Sequence, residues 1–151
     1  MHLPRLAQFT ALGLFALAAL GCSSRQRSES VTVRKVFVRD VAASTLHVTA
    51  TLGDAIHDAA VRALTAQGYT IVTNEGEAEA TLRTSWRAQP STSQRPSEAN
   101  VSLSISLFDK ANRRLFDGNS GPGVAANFWN EGKATSEVTA ILKQLPAPAK
   151  L

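Results

Sequence analysis

The side chains that could carry out covalent chemistry are few in this chain. Its 151 residues include three histidines and a single cysteine, Cys22. Nucleophilic catalysis needs a nucleophile, a base within reach and a group that orients the base, but only His47 and His57 lie beyond the N-terminal segment. Neither belongs to a metal-binding or catalytic sequence motif. The sequence therefore predicts a protein that is not an enzyme, with no catalytic residue, no metal site and no cofactor.

The N-terminal segment explains the lone cysteine. Residues 1–21 contain Arg5 and then an uncharged apolar run, which is typical of a signal peptide and too short to indicate a membrane-spanning helix. Gly21 precedes Cys22, and this junction resembles a lipobox, in which the cysteine receives a diacylglycerol and becomes the new N-terminus after cleavage. Ala19 stands where the usual pattern prefers leucine. The resemblance implies lipidation of Cys22; the alternative is a plain secreted protein with a free thiol.

The segment behind the predicted anchor is polar. Residues 22–30 read as the lipidated cysteine and a flexible tether. Ser23 follows the cysteine, and by resemblance to the sorting rules of bacteria with two membranes, a residue other than Asp there implies delivery to the outer membrane, facing the periplasm. Anchoring in the inner membrane is the alternative. Each methylene of an acyl chain that is buried in a bilayer contributes about 0.8 kcal/mol to membrane binding. The sequence therefore predicts that the lipid bilayer is a partner, bound through the acyl chains on Cys22.

The net charge is mildly basic. The chain has 16 Lys and Arg against 12 Asp and Glu, a formal charge of +4, but no stripe of basic residues interleaved with aromatics. The sequence therefore predicts no nucleic-acid partner. Anionic head groups of lipopolysaccharide or phospholipid stay open as ligands. The candidate contacts are Arg83, Arg87, Arg113 and Arg114.

Hydrophobic periodicity predicts one small domain over residues 31–146, followed by a C-terminal tail at 147–151. An apolar stripe at Leu52, Ile56, Ala60 and Leu64 predicts a first helix that ends at Gly68, and a second helix is predicted behind Thr135, stopped by Pro146. Alternating or β-branched segments predict strands at 31–39, 69–73, 80–87, 101–107 and 114–117. This order suits a two-layer α+β fold, in which an antiparallel or mixed sheet of about five strands packs against two helices.

Three further segments are candidates for binding. The adjacent aromatics Phe128 and Trp129 stand in an irregular segment before the last helix, where they could dock a partner. Residues 89–99 hold two prolines and no apolar run, which predicts a loop. Residues 118–123 are rich in glycine but lack the lysine and the following helix of a phosphate-binding loop, so a turn is predicted there.

The layout resembles that of bacterial envelope lipoprotein domains. The helix end and strand at 66–72, the acid-Ala-acid step at 77–82, the apolar strand at 103–109 and the closing helix at 138–146 match their recurrent pattern. A similar arrangement occurs in the LptE-like and TraT-like outer-membrane lipoproteins. The chain lacks the Gly-rich membrane-inserting centre of the TraT-like proteins, and its strands are short for the LptE-like ones.

The anchor and the resemblance together predict a membrane-anchored lipoprotein that acts as a non-enzymatic accessory or interaction module of the cell envelope, with another envelope protein as its partner. The alternative is an envelope assembly or transport factor that binds lipopolysaccharide or phospholipid, for which the four arginines should share one exposed face. A third class is a hydrolase, which would need His47, His57 and a carboxylate within hydrogen-bond reach of a serine.

Overall fold

The structure, a computed structural model, describes residues 32–41, 50–88 and 100–148. Within these ranges a mixed sheet packs against two helices, which confirms the predicted two-layer α+β fold. The strands are β1 (Lys35–Val38), β2 (Thr70–Val72), β3 (Ala80–Ala88), β4 (Asn100–Asp109), β5 (Arg114–Asn119) and β6 (Val124–Ala125). The helices are α1 (Ala50–Ala66) and α2 (Glu131–Leu142).

The sheet runs in the order β2-β1-β3-β4-β5, with β6 pairing to one end of β4. β1 is parallel to both of its neighbours, β2 and β3, whereas β3, β4 and β5 are antiparallel in succession. The parallel β1–β2 pair requires a crossover, which α1 supplies. The β4–β5 pair is the hairpin that the sequence predicts.

Alternating side chains of the sheet and one stripe of each helix form the core. Leu103, Ile105 and Leu107 of β4 are fully buried beside Leu82 of the neighbouring strand. The helices cover them with fully or almost fully buried residues: Leu52, Ile56, Ala60 and Leu64 from α1, and Ala134, Val138, Ile141 and Leu142 from α2. Because each large apolar side chain contributes about 1.5–3 kcal/mol when removed from water, this alternation fixes which face of the sheet meets the helices.

The C-terminal ends of the two helices are tied together. Gly68 has φ +93°, a left-handed conformation that ends α1 and that glycine adopts without steric cost. Behind it the Tyr69 hydroxyl donates to the Pro146 carbonyl oxygen at 2.6 Å, and Gln67 Nε2 donates to the Leu142 carbonyl oxygen at 2.7 Å. These bonds hold the chain after α2 against the end of α1.

Several predicted boundaries are wrong. α2 begins at Glu131, ahead of Thr135, because the Asn130 side chain accepts the Lys133 backbone N–H at 2.9 Å and caps the helix. β5 continues to Asn119, so Gly118 belongs to a strand and not to a turn. β6 and the short 3-10 helices Glu75–Glu77 and Ala126–Phe128 were not predicted.

Candidate functional site

The alternation that fills the core also sorts the polar residues onto the opposite face of the sheet, here called the open face. On β3, Leu82 and Trp86 point toward the helices, so Arg83, Ser85 and Arg87 point away from them. No described helix packs on this side. The open face is therefore the surface on which the sequence-predicted arginines can be compared.

The strand register arranges the open face in rows across the sheet. One row runs from Phe37 through Thr81 and Phe108 to Arg114. The next row contains Arg83, Ser106 and Asp117, and it begins at Arg39, whose backbone N–H bonds to the Leu82 carbonyl oxygen beside it at 3.0 Å. Cross-strand neighbours on one face lie close enough to interact, so these rows form one continuous surface.

Acidic groups at the two ends of the rows hold the outer arginines. Arg39 Nη2 lies 3.1 Å from Glu75 Oε2, and the Thr81 hydroxyl donates to Glu75 Oε1 at 3.1 Å. The hydrogen bond from Arg39, followed by that from Thr81, lowers the pKa of the Glu75 carboxyl. At the other end, Arg114 Nη1 lies 3.3 Å from Asp117 Oδ2. Both outer arginines are therefore neutralised locally.

The central arginines of the open face differ from the outer ones. The Arg83 guanidinium stacks on the Phe108 ring, 4.8 Å from its centre, and Arg83 Nε is buried without a hydrogen-bond acceptor among the described residues. Arg87 is exposed. Within the ranges that the structure describes, neither residue forms an ion pair.

Arg113 lies apart from the other predicted arginines. It stands in the β4–β5 turn, where its Nε lies 2.8 Å from Asp109 Oδ2 and its backbone N–H donates to Asp109 Oδ1 at 2.8 Å. The latter bond is the largest cause of the lowered pKa of Asp109. The structure thus brings Arg83, Arg87 and Arg114 onto the open face and leaves Arg113 in the turn.

The two predicted aromatics before α2 have different surroundings. Trp129 donates its Nε1–H to the Val101 carbonyl oxygen at 3.2 Å and packs edge-on against Trp86, with ring centres 4.7 Å apart. Lys133 Nζ lies 5.3 Å from the Trp129 ring centre. Phe128 is 67% exposed. Trp129 is therefore part of the packing, and Phe128 is the aromatic that is free to contact a partner.

The other residues considered for catalysis or metal binding do not form such a site among the described residues. His57 lies 3.7 Å from Asp58 and 4.0 Å from Asp40, without a hydrogen bond to a serine among the described residues. Residues 1–30, which include Cys22, as well as His47 and residues 89–99, lie outside the described ranges. Among the described residues, no three His, Cys, Asp or Glu side chains gather as metal ligands would. In the same ranges no helix combines the length and apolarity needed to cross a bilayer.

The open face also contains residues that the sequence analysis did not single out. Arg39, Phe37 and Phe108 complete its rows, and the alternation within β4 already indicated that Phe108 faces away from Leu107 and its buried neighbours. Which strands lie side by side is not encoded in any local pattern. Consequently the contact of Arg83 and Arg114 with one ring, at 4.8 and 5.7 Å, could not be found from periodicity.

Comparison with known proteins shows a likeness of fold. No protein-family model matches the chain, and no curated protein sequence matches it either. The PelC dodecamer from Paraburkholderia phytofirmans in space group P6 is 17% identical, with a TM-score of 0.50, over 80% of this chain and 91% of that chain. A variant of that dodecamer in space group C2 is 21% identical, with a TM-score of 0.49, over 79% of this chain and 91% of that chain.

A third similar structure is a minor lipoprotein from Acinetobacter baumannii, which is 16% identical with a TM-score of 0.36, over 74% of this chain and 87% of that chain. At these identities the comparisons concern the fold alone. The PelC dodecamer with a TM-score of 0.50 has the same overall arrangement of helices and strands as this chain.

Proposed function

We propose that this chain is a lipid-anchored protein of the bacterial cell envelope, whose folded domain acts as a non-enzymatic accessory module. The observation that carries the proposal is the position of the only cysteine, directly behind Gly21 at the end of an uncharged apolar leader. Acylation of Cys22 accounts for the single cysteine and holds the domain at a membrane. Ser23, a residue other than Asp, favours the outer membrane facing the periplasm.

The domain's role in this proposal is to bind another envelope protein. Phe128 supports it, because a large aromatic side chain that is 67% exposed beside a rigidly packed tryptophan is suited to insert into a partner's pocket. Trp129 is held by its hydrogen bond to Val101 and its contact with Trp86. In this proposal it supports the Phe128 ring, and the partner does not have to contact Trp129 itself.

A second copy of the chain is one candidate for this partner. The structure with the same fold at a TM-score of 0.50 is described as a dodecamer, which supports self-association as the form in which the module works. In the described residues the sheet ends at β2 on one side and at β5 and β6 on the other. Open edges of this kind are available for pairing between copies.

The anchor is tested by the intact mass of protein extracted from membranes, for the wild type and for Cys22→Ala. Acyl mass on the wild type, together with loss of both that mass and membrane retention in the variant, is the expected result. An unmodified mature chain that stays in solution would refute the anchor and the accessory role built on it.

The partner is tested by crosslinking in cells followed by mass spectrometry, with Phe128→Ala compared against Trp129→Phe. We expect Phe128→Ala to weaken the crosslinks and Trp129→Phe to retain most of them, because the second change removes the bond to Val101 but keeps an aromatic ring against Trp86 and the Phe128 side chain itself. Native mass spectrometry of the extracted protein then separates self-association from binding of a different protein. Crosslinks that are equal in wild type and Phe128→Ala would rule out the proposed contact.

A further inference from the structure

The centre of the open face holds two arginines, Arg83 and Arg87, that form no ion pair with a described carboxylate, although the charge of Arg83 contributes to the lowered pKa of Glu75. Glu75 and Asp117 already pair with Arg39 and Arg114. A third carboxylate, Glu79, accepts the backbone N–H groups of residues 34 and 35. Arg83 and Arg87 form no ion pair in the described ranges, and they lie on the same side of β3, four residues or about 13 Å apart along the strand.

Arg83 is oriented before any ligand arrives. Its guanidinium lies 4.8 Å from the centre of the Phe108 ring, a contact that restricts the side chain to a narrow range of positions. Its Nε is buried and has no acceptor among the described residues. Arg83 as a whole remains partly exposed, so the ring contact holds a side chain that solvent still reaches.

The surface between the two arginines is low. The nearest open-face positions on β3 and β4 are Ser85, Ser102 and Ser104, and the last two are only 8% and 6% exposed. These short side chains do not project between Arg83 and Arg87. Ser85, which lies between the two arginines on this face of β3, is short and exposed, so a negatively charged surface can approach both side chains without meeting a larger residue of that strand.

We propose that the open face docks on the phosphate-bearing head groups of an anionic lipid bilayer, with Arg83 and Arg87 as the principal contacts. The inference rests on the proposed anchor. Lys35, at the start of β1, lies thirteen positions after Cys22, and a chain of that length spans at most about 45 Å when fully extended. The anchor therefore keeps the open face within reach of the head groups, and the local charge complements theirs.

The test uses the full chain and vesicles of phosphatidylcholine with and without phosphatidylglycerol, measured by co-sedimentation. Binding through the leader or an acyl chain is common to both vesicles, so the difference between them reports the electrostatic contact. An arginine near an anionic surface contributes about 1 kcal/mol, and 1.36 kcal/mol corresponds to a factor of ten. We therefore expect the double variant R83Q/R87Q to lose about thirtyfold in preference for the phosphatidylglycerol vesicles.

The matched control is R62Q/K143Q, which removes the same charge from exposed positions on α1 and at the end of α2. We expect the control to keep its preference within about threefold, because those residues lie on the helical side of the sheet and beyond a Debye length of the docked surface. Arg87→Gln alone, at an exposed position, should lose about fivefold and serves if the double variant unfolds.

The proposal is overturned if Arg87→Gln and R83Q/R87Q bind phosphatidylglycerol vesicles as the wild type does, or if the control loses as much as they do. Calorimetry with inorganic pyrophosphate separates the sources of phosphate: binding of pyrophosphate that depends on Arg83 and Arg87, without vesicle preference, would assign the face to a soluble phosphate and reject the bilayer. Acylation of Cys22 is measured separately by the intact mass of the protein. An error in the proposed anchor and an error in the proposed role of the open face therefore give different results.

Discussion

Replacing Gly118 by alanine tests how closely β5 packs beneath α2. A Cβ atom at this position would lie 2.6 Å from Cγ2 of Ile141 and 2.9 Å from Cζ of Phe116. Ile141 is 1% exposed, so its methyl group is enclosed by other atoms and can move only by displacing them. Overpacking of this kind costs about 1–3 kcal/mol, whereas the reduced freedom of the unfolded chain returns about 0.4–1 kcal/mol. We expect Gly118→Ala to lower the free energy of unfolding by about 1–2 kcal/mol.

Gly53→Ala is the matched control, because the chemical change is identical and the surroundings are not. Gly53 lies within α1, and the nearest atom to its added Cβ is Cβ of Val41 at 3.9 Å, an ordinary van der Waals contact. Glycine in a helix interior costs about 0.8–1 kcal/mol relative to alanine. We expect this variant to raise the free energy of unfolding by up to about 1 kcal/mol.

Urea unfolding followed by tryptophan fluorescence measures both variants, since Trp86 and Trp129 lie in the packed half of the molecule. The midpoints should move in opposite directions from that of the wild type while the denaturant dependence stays constant. An unchanged midpoint for Gly118→Ala would mean that the β5–α2 contact is looser than the distances indicate. A destabilised Gly53→Ala would refute the expectation that an added Cβ meets Val41 without a clash.

Three further predictions concern single groups. Backbone N–H donors, foremost that of residue 34, lower the pKa of Glu79 below 4.5, so the stability that its carboxylate contributes is complete above about pH 4.5 and lost as the pH falls through the folded-state pKa. In a pH series the difference in unfolding free energy between wild type and Glu79→Gln should therefore shrink at low pH, and a constant difference would contradict this. Burial raises the pKa of Tyr69 to about 12, so absorbance titration of this sole tyrosine should show ionisation near pH 12 in the folded protein and near pH 10 in urea. The free energy of unfolding should decrease above pH 10, and a folded-state pKa near 10 would show that the hydroxyl is open to solvent. Trp129→Phe removes the 3.2 Å hydrogen bond to the Val101 carbonyl oxygen and should lower the free energy of unfolding, measured in urea, by about 1 kcal/mol. Phe128→Ala should change it by less than about 0.5 kcal/mol, and equal losses for the two variants would mean that Phe128 is part of the packing.

The elements with strong periodicity were predictable because their packing repeats the local pattern. β4 alternates serine with Leu103, Ile105 and Leu107, and the structure buries those apolar residues completely. The stripe of α1 is buried in the same way, and the helix ends two residues before Gly68. Here local pattern and tertiary packing agree, so a one-residue error of register would have exposed every apolar side chain.

Elements without such a repeat were not predictable in detail. β6 has only two residues, and it follows Gly123, where an added Cβ would lie 3.1 Å from the backbone N of Val101, a tight contact that glycine avoids. The start of α2 depends on the Asn130 cap, four residues before the first apolar residue of the stripe, Ala134. Gly118 pairs with Ile105 of β4, and it lies so close to Ile141 that a side chain at this position would clash. The positions of Gly118 and Gly123 are decided by contacts with distant parts of the chain, whereas the Asn130 cap is a local contact that leaves no trace in the apolar periodicity.

The candidate site shows the same division. Alternation within β3 is sufficient to place Arg83 and Arg87 on one face, and the sequence analysis identified both residues. It grouped them with Arg113, whose neighbour Arg114 reaches the open face while Arg113 itself bonds to Asp109 in the turn. Adjacent residues at a strand end point in different directions, and the register shift near Leu107 and Phe108 removes the simple parity that would have separated them.

The serines of β4 connect the fold to the proposed surface. Ser102 and Ser104 are 8% and 6% exposed, and valine or isoleucine at such positions would favour the strand and bury more apolar area. Stability alone therefore does not account for hydroxyl groups there. Their short side chains instead leave room beside β3, where the larger Arg83 and Arg87 lie in the neighbouring positions. The size of the β4 side chains on this face is thus matched to the arginines of β3, which local strand propensity alone does not explain.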